Sequence, residues 1–185
     1  MNWSDVILAL WIFLPAGLSN ATPVFVSKLP LLKNWNYPMD FHLNFQGVRV
    51  FGDNKTIRGF ICGILAAILT SWLLQQWYLG DPAIRELLKF DFGSLNPLVF
   101  GLLSGSGALF GDAIKSFFKR RTSIKPGESW FPFDQIDYII GGIVFLLPYV
   151  RLSAVVYLLI LVLYFLLHII STVTGYYLKL KSKPI

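Results

Sequence analysis

Apolar residues in this chain fall into long runs separated by short polar connections, a pattern of membrane spans rather than of one-sided soluble helices. Five segments approach the roughly 20 apolar residues that a spanning helix needs. They are residues 6–26, 57–79, 96–118, 136–150 and 152–174. Pro148 and Arg151 separate the last two, because the residue before a proline is disfavoured in helical geometry. The pattern predicts an all-α integral membrane protein: one domain over 1–185, five transmembrane helices, and cytoplasmic loops at about 27–56 and 119–135 that form a polar site at the membrane interface.

Composition agrees. The chain has 185 residues, 55% of them hydrophobic and 16% aromatic, and a mean hydropathy of +0.61, well above that of a soluble domain. The first run carries Asp5, lacks a basic leader and is too long for a signal-peptide core, so it reads as a retained span. Cys62 is the single cysteine, which excludes an internal disulfide and a cysteine-built zinc site. Thirteen of the sixteen lysines and arginines fall in or beside the first connection, at the third, or in the tail. The positive-inside rule then places the N-terminus outside and the C-terminus and both charge-rich loops in the cytoplasm. Trp35, Tyr37, Phe41, Phe45 and Phe51 predict that the first loop lies on the bilayer surface.

An ionisable group at membrane depth is a functional candidate by default. Asp112 ends the apolar part of the third span, with Ser116 four residues on and Lys119 beyond, a stripe that can hold an anion through a carboxylate-bound metal and the lysine. The bland alternative is a salt bridge from Asp112 to Lys115 or Lys119. Asp134 and Asp137 open the fourth segment. Capping and the helix dipole give one reading of them; oxygen ligation of Mg²⁺ shared with substrate phosphates gives the other, and with Asp112 alongside the three are a candidate set for one or two metals. Lys119, Arg120 and Lys125 stand between the acids as candidate phosphate contacts, while Arg121 reads as a surface charge.

Two further features, residues 52–59 and 20–23, face the same side. The stretch Gly52-Asp53-Asn54-Lys55-Thr56-Ile57-Arg58-Gly59 opens the second span, where free amides favour phosphate, with Asn54, Lys55 and Arg58 as candidate ligands; a turn plus a charge anchor is the alternative. Asn20-Ala21-Thr22-Pro23 puts two polar side chains and a helix breaker into the first span, predicting either a broken, cavity-lining helix or a simple kink. Gly101 and Gly105 have helix-packing spacing, and Gly107 and Gly111, next to Asp112, read either as more of that packing or as places where missing side chains leave room for a ligand. His168 reads as an interhelical hydrogen-bonding group rather than a catalyst.

The block Ser116-x-x-Lys119-Arg120, Lys125, Phe131-Pro132, Asp134, Asp137 resembles the phosphatidate cytidylyltransferase signature. Pro126 stands where that signature has an acid, its His-Gly-Gly is missing, and Gln135 replaces an arginine. These departures, the small size and the 20–23 and 52–59 elements make the whole chain resemble the archaeal CDP-archaeol synthase family. The resemblance implies Mg²⁺-dependent transfer of a cytidylyl group from CTP to 2,3-bis-O-(geranylgeranyl)-sn-glycerol 1-phosphate, releasing diphosphate, with Asp112, Asp134 and Asp137 on the metal and Lys119 and Lys125 on phosphates. Nucleic acid is not an expected partner. A small cation- or proton-coupled transporter using Asp112 is the rival reading, and a CDP-alcohol phosphotransferase is excluded by the absence of Asp-Gly-x-x-Ala-Arg.

Overall fold

The computed structural model describes residues 2–122, 124 and 128–179. Four helices are long and apolar enough to cross a membrane: α1 (Trp3–Val26), α2 (Ile57–Gly80), α4 (Pro97–Arg121) and α6 (Ala154–Tyr177). Two shorter ones are α3 (Pro82–Leu88), in the connection after α2, and α5 (Phe133–Leu146). The fourth expected span is therefore a helix of 14 residues, about 21 Å long, which is less than the roughly 30 Å hydrocarbon core. It ends before Pro148. Its segment nevertheless runs antiparallel along α4, from Asp134 beside Lys115 and Lys119 to Tyr149, whose hydroxyl accepts a hydrogen bond from the Asn96 amide at 2.8 Å.

Glycines set how closely the helices approach. A Cβ on Gly107 would lie 2.6 Å from the carbonyl oxygen of Gly141, and one on Gly111 would collide with the carbonyl of Asp137. The room beside Asp112 is thus filled by the backbone of α5, not left for a ligand. On the opposite face of α4, Gly101 and Gly105 meet Ile68 and Ala67 of α2, so the small-residue spacing serves packing within the chain. The α1 helix runs unbroken through Pro15 and Pro23; Pro23 packs on Gly59, and Ser19 donates to the Gly105 carbonyl at 3.2 Å. Ile12, Phe13, Phe92, Phe100, Ile139 and Ile160 are fully buried in the core. Outward leucines such as Leu158 and Leu166 of α6 stay exposed, as lipid-facing residues do.

The loop between α1 and α2 is folded around one carboxylate. Strands β1 (Asn44–Phe45) and β2 (Val48–Arg49) pair across Gln46 and Gly47, both with positive φ, the geometry that suits a two-residue hairpin turn. Asp40, 3% exposed, accepts hydrogen bonds from both the Nε and a terminal nitrogen of Arg49 and from the His42, Phe51 and Gly52 amides. Burial alone would raise its carboxyl; the Arg49 pair and the three amides reverse this and hold it well below the usual carboxylate range. Arg121 fixes the ribbon to the end of α4: its guanidinium lies 3.4 Å from the Phe117 ring centroid and 5.1 Å from that of Phe45. It is a clamp rather than the free surface charge expected.

Candidate active site

Three lysines and three aspartates meet where α4, α5 and the start of α2 converge. Residues 112, 115 and 119 lie on one side of α4 at helical spacing, and the glycine contact brings Asp134 and Asp137 of α5 against them. Lys115 is at the centre. Its Nζ lies 3.3 Å from an Asp112 oxygen, 2.5 Å from one of Asp134 and 3.0 Å from one of Asp137. Lys119, itself buried, donates to both oxygens of Asp134 at 2.8 and 3.1 Å, and Lys55 pairs with the other oxygen of Asp112. Asp134 does not cap α5 with its neighbours' amides in the expected way; it accepts from the Trp130 amide at 2.6 Å and serves chiefly as the partner of two lysines. Three carboxylates against three ammoniums make a neutral cluster.

This cluster forms part of the wall of a cavity of about 1150 Å³, large for a small-molecule site. Asn20, Asn54, Lys55, Asp112, Ser116, Lys119, Arg120, Asp134 and Asp137, all expected site residues, line it. Thr22 and Arg58 do not. The Thr22 hydroxyl donates back to the Leu18 carbonyl at 2.7 Å, and the Arg58 guanidinium is buried, donating to the Leu32 carbonyl at 2.6 Å and tying the first loop to α2. Lys125 lies outside the described residues. Thr56, next to Lys55, caps α2 by accepting from the Gly59 amide at 3.1 Å, which fixes where the Lys55 side chain begins.

Sequence reasoning passed over Lys115 as a site residue, although its place between Asp112 and Lys119 on one helix was visible. It also passed over Arg49, which lines the cavity while pairing with Asp40 and Asp53. Buried polar atoms face this region without a hydrogen-bond partner among the described residues: Arg120 Nε, Gln135 Oε1 and Asp137 Oδ2. The last is within 3.0 Å of Lys115 Nζ, but at an angle that forms no hydrogen bond. Ser116 turns its hydroxyl to the Asp112 carbonyl at 2.9 Å. Away from the charges, the cavity continues between α1 and α6 past Leu14, Leu18 and Leu167, so one chamber has a charged end and an apolar arm.

The sequence model of the CarS-like CDP-archaeol synthase family matches residues 3–185. The chain belongs to the CDP-archaeol synthase family. Among its relatives, the CDP-archaeol synthase of Thermofilum pendens is 36% identical over 178 residues, covering 95% of this chain and 78% of that protein. That of Pyrococcus furiosus is 33% identical over 180 residues, covering 97% and 98%. A solved intramembrane enzyme for archaeal membrane lipid biosynthesis superposes with a TM-score of 0.69 at 26% identity, covering 89% of this chain and 92% of its own. As a CDP-archaeol synthase family member, this chain is an intramembrane cytidylyltransferase rather than a transporter.

The donor set suits a hard cation. Mg²⁺ takes oxygen ligands, often one or two carboxylates shared with substrate phosphates, and the buried Asp137 Oδ2, ion-paired with Lys115 but accepting no hydrogen bond among the described residues, is such a donor. Among the described residues no three histidine, cysteine or acidic side chains already stand at metal-ligand spacing. The aspartates are instead spaced around the Lys115 ammonium.

Proposed function

We propose that this protein transfers the cytidylyl group of CTP to 2,3-bis-O-(geranylgeranyl)-sn-glycerol 1-phosphate, forming CDP-archaeol and diphosphate. The observation that carries this reading is the chamber itself: a charged end rich in lysines and aspartates joined to an apolar arm between α1 and α6. A nucleotide triphosphate and a lipid phosphate meet at the first, and the prenyl chains leave through the second into the bilayer, which avoids about 0.8 kcal/mol per methylene of exposure to water.

An oxygen of the lipid phosphate attacks the α-phosphorus of CTP as the bond from that phosphorus to the β-phosphate bridge breaks, so diphosphate departs in line and a diphosphate ester forms. The attacking oxygen is already anionic. No strong general base is required, and positioning and charge neutralisation carry the catalysis. Lys55, Lys119 and Arg120 hold phosphate oxygens, the family resemblance gives Lys125 the same role, and Asn20 and Asn54 contact substrate from the cavity wall. Asp112, Asp134 and Asp137 would hold Mg²⁺, which supplies charge neutralisation on the triphosphate. The cavity wall carries six cationic and five acidic side chains, so a polyphosphate entering this nearly neutral site needs a cation with it. The charged end faces the cytoplasm and its nucleotides under the positive-inside rule.

The test is a micelle assay with labelled CTP and Mg²⁺, offering the bis-prenyl ether glycerol phosphate beside a diacyl phosphatidate. A labelled lipid product that requires Mg²⁺ and favours the ether lipid is the expected result. Product from neither lipid, with folded protein, would remove the assignment.

A further inference from the structure

We infer that Lys115 is a built-in counter-cation of the Asp112–Asp134–Asp137 cluster, displaced from it when a divalent cation binds. The inference deepens the proposed function, on which it rests, by giving a role to a residue outside the cytidylyltransferase signature.

The geometry is that of a cation site filled by the chain's own ammonium. One Nζ is surrounded by oxygens from three aspartates at 2.5 to 3.3 Å. A Mg²⁺ ion would need them at about 2.0 to 2.1 Å, so the ion and the ammonium compete for one place and the carboxylates close in when the smaller cation enters. Asp137 Oδ2 marks what the lysine leaves undone, since it is buried beside Lys115 without a hydrogen bond. Lys119 is different: it binds one aspartate only, and with Lys55 on the far oxygen of Asp112 it remains beside the cluster after the exchange.

The lysine also answers a folding difficulty. Three carboxylates forced together by the glycine contact of α4 and α5 would repel in the metal-free protein, and like charges buried together are strongly unfavourable. Lys115, with Lys55 and Lys119 at the edge, offsets that repulsion until the divalent cation binds. Once displaced, its ammonium is free to turn toward the polyphosphate that accompanies the metal, so the same positive charge serves the carboxylates first and the phosphates afterwards. The cost is affinity: a site occupied by its own lysine binds metal more weakly in proportion to that occupancy.

The experiment uses the full chain in detergent micelles without nucleotide. Lysines are reductively methylated at matched ionic strength, with and without saturating Mn²⁺, and quantified by mass spectrometry with Lys89 as the internal reference. Labelling of Lys115 should rise several-fold with Mn²⁺ while that of Lys89 stays level; an unchanged or lower yield at Lys115 overturns the inference. In parallel, Mn²⁺ affinity is read by electron paramagnetic resonance for the native protein and for Lys115→Met. The variant should bind about tenfold more tightly; equal or weaker binding in folded variant, or no Mn²⁺ bound by either protein, likewise overturns it. Labelling of the native protein decides the matter where Lys115→Met does not fold, and it separates displacement from simple loss of a charge. Cytidylyl transfer is assayed on the same preparation, so active protein with Lys115 labelling unmoved sinks the exchange alone, whereas inactive protein sinks the proposed function.

Discussion

Gly111 and Asp137 are in backbone contact: the Cα of the glycine faces the aspartate's carbonyl so closely that any side chain at 111 would strike it. This contact holds the Asp137 carboxylate next to the Lys115 ammonium, one turn from Asp112. A charged cluster drawn from two helices is therefore set by a residue with no side chain at all.

Gly111→Ala consequently separates α4 from α5. Overpacking at such a point costs about 1 to 3 kcal/mol, read as a lower melting temperature in micelles. Activity should fall further than stability, because catalytic geometry is sensitive to displacements of about 1 Å. Gly101→Ala strikes α2 instead, and should lower the melting temperature with a smaller loss of turnover in the protein that remains folded.

Asp134→Asn removes the charge shared by Lys115 and Lys119 while keeping the shape and the acceptor for the Trp130 amide. Turnover should fall by about a hundredfold or more, the size of loss seen when one charge-stabilising group is removed. The protein should remain folded by circular dichroism. Near-normal turnover would take Asp134 out of the reaction.

The charged residues at the ends of apolar runs were legible in the sequence because membrane depth makes such residues expensive. Asp112, Lys119, Asp134 and Asp137 stood out for that reason, and the structure brings them to one cavity wall. Lys115 did not, because a lysine three residues from an acid reads equally well as an ordinary helix-face pair; its three-way contact depends on how α5 docks, which a single sequence does not specify. The 27–56 loop has no period to follow, so the Asp40 hub was hidden, and Arg58 read as a phosphate ligand where it is a buried tether. The fourth segment was placed at 136–150 where the helix runs from Phe133 to Leu146, because the apolar pattern continues past Leu146 although the helix does not.

Arg121→Ala tests whether the hairpin is held by its stacked guanidinium. A cation over an aromatic face contributes about 0.5 to 2 kcal/mol according to its exposure, and here one half-buried guanidinium lies over Phe117 and near Phe45. Limited proteolysis within residues 44–49 should accelerate in the variant. Turnover should fall moderately, since Gly52 and Lys55 follow directly from the same ribbon. Unchanged cleavage would mean that the Asp40 network alone fixes the loop.

Asp40 gives the protein an acid-sensitive element outside its spans. Its carboxyl is held below the usual range in the folded state, so the unfolded chain binds the proton more readily, and stability from this group is complete above the unfolded value of about 3.9. That stability is lost as the pH falls from about 5 through the folded value. Melting temperatures measured from pH 7 down to pH 3 should therefore decline for the native protein. Asp40→Asn should begin about 2 to 3 kcal/mol less stable at pH 7, since it loses charge-assisted hydrogen bonds from Arg49 and weakens those from Phe51 and Gly52. Its decline toward pH 3 should be shallower, as the titrating group is gone. Because the Gly52 amide is one of those held, the Gly52–Lys55 turn loosens in the variant, and Lys55 should reach Asp112 less often. That appears as a raised KM for CTP at pH 7 with a smaller change in kcat. Parallel acid profiles for the two proteins would show that Asp40 contributes nothing to the acid limb.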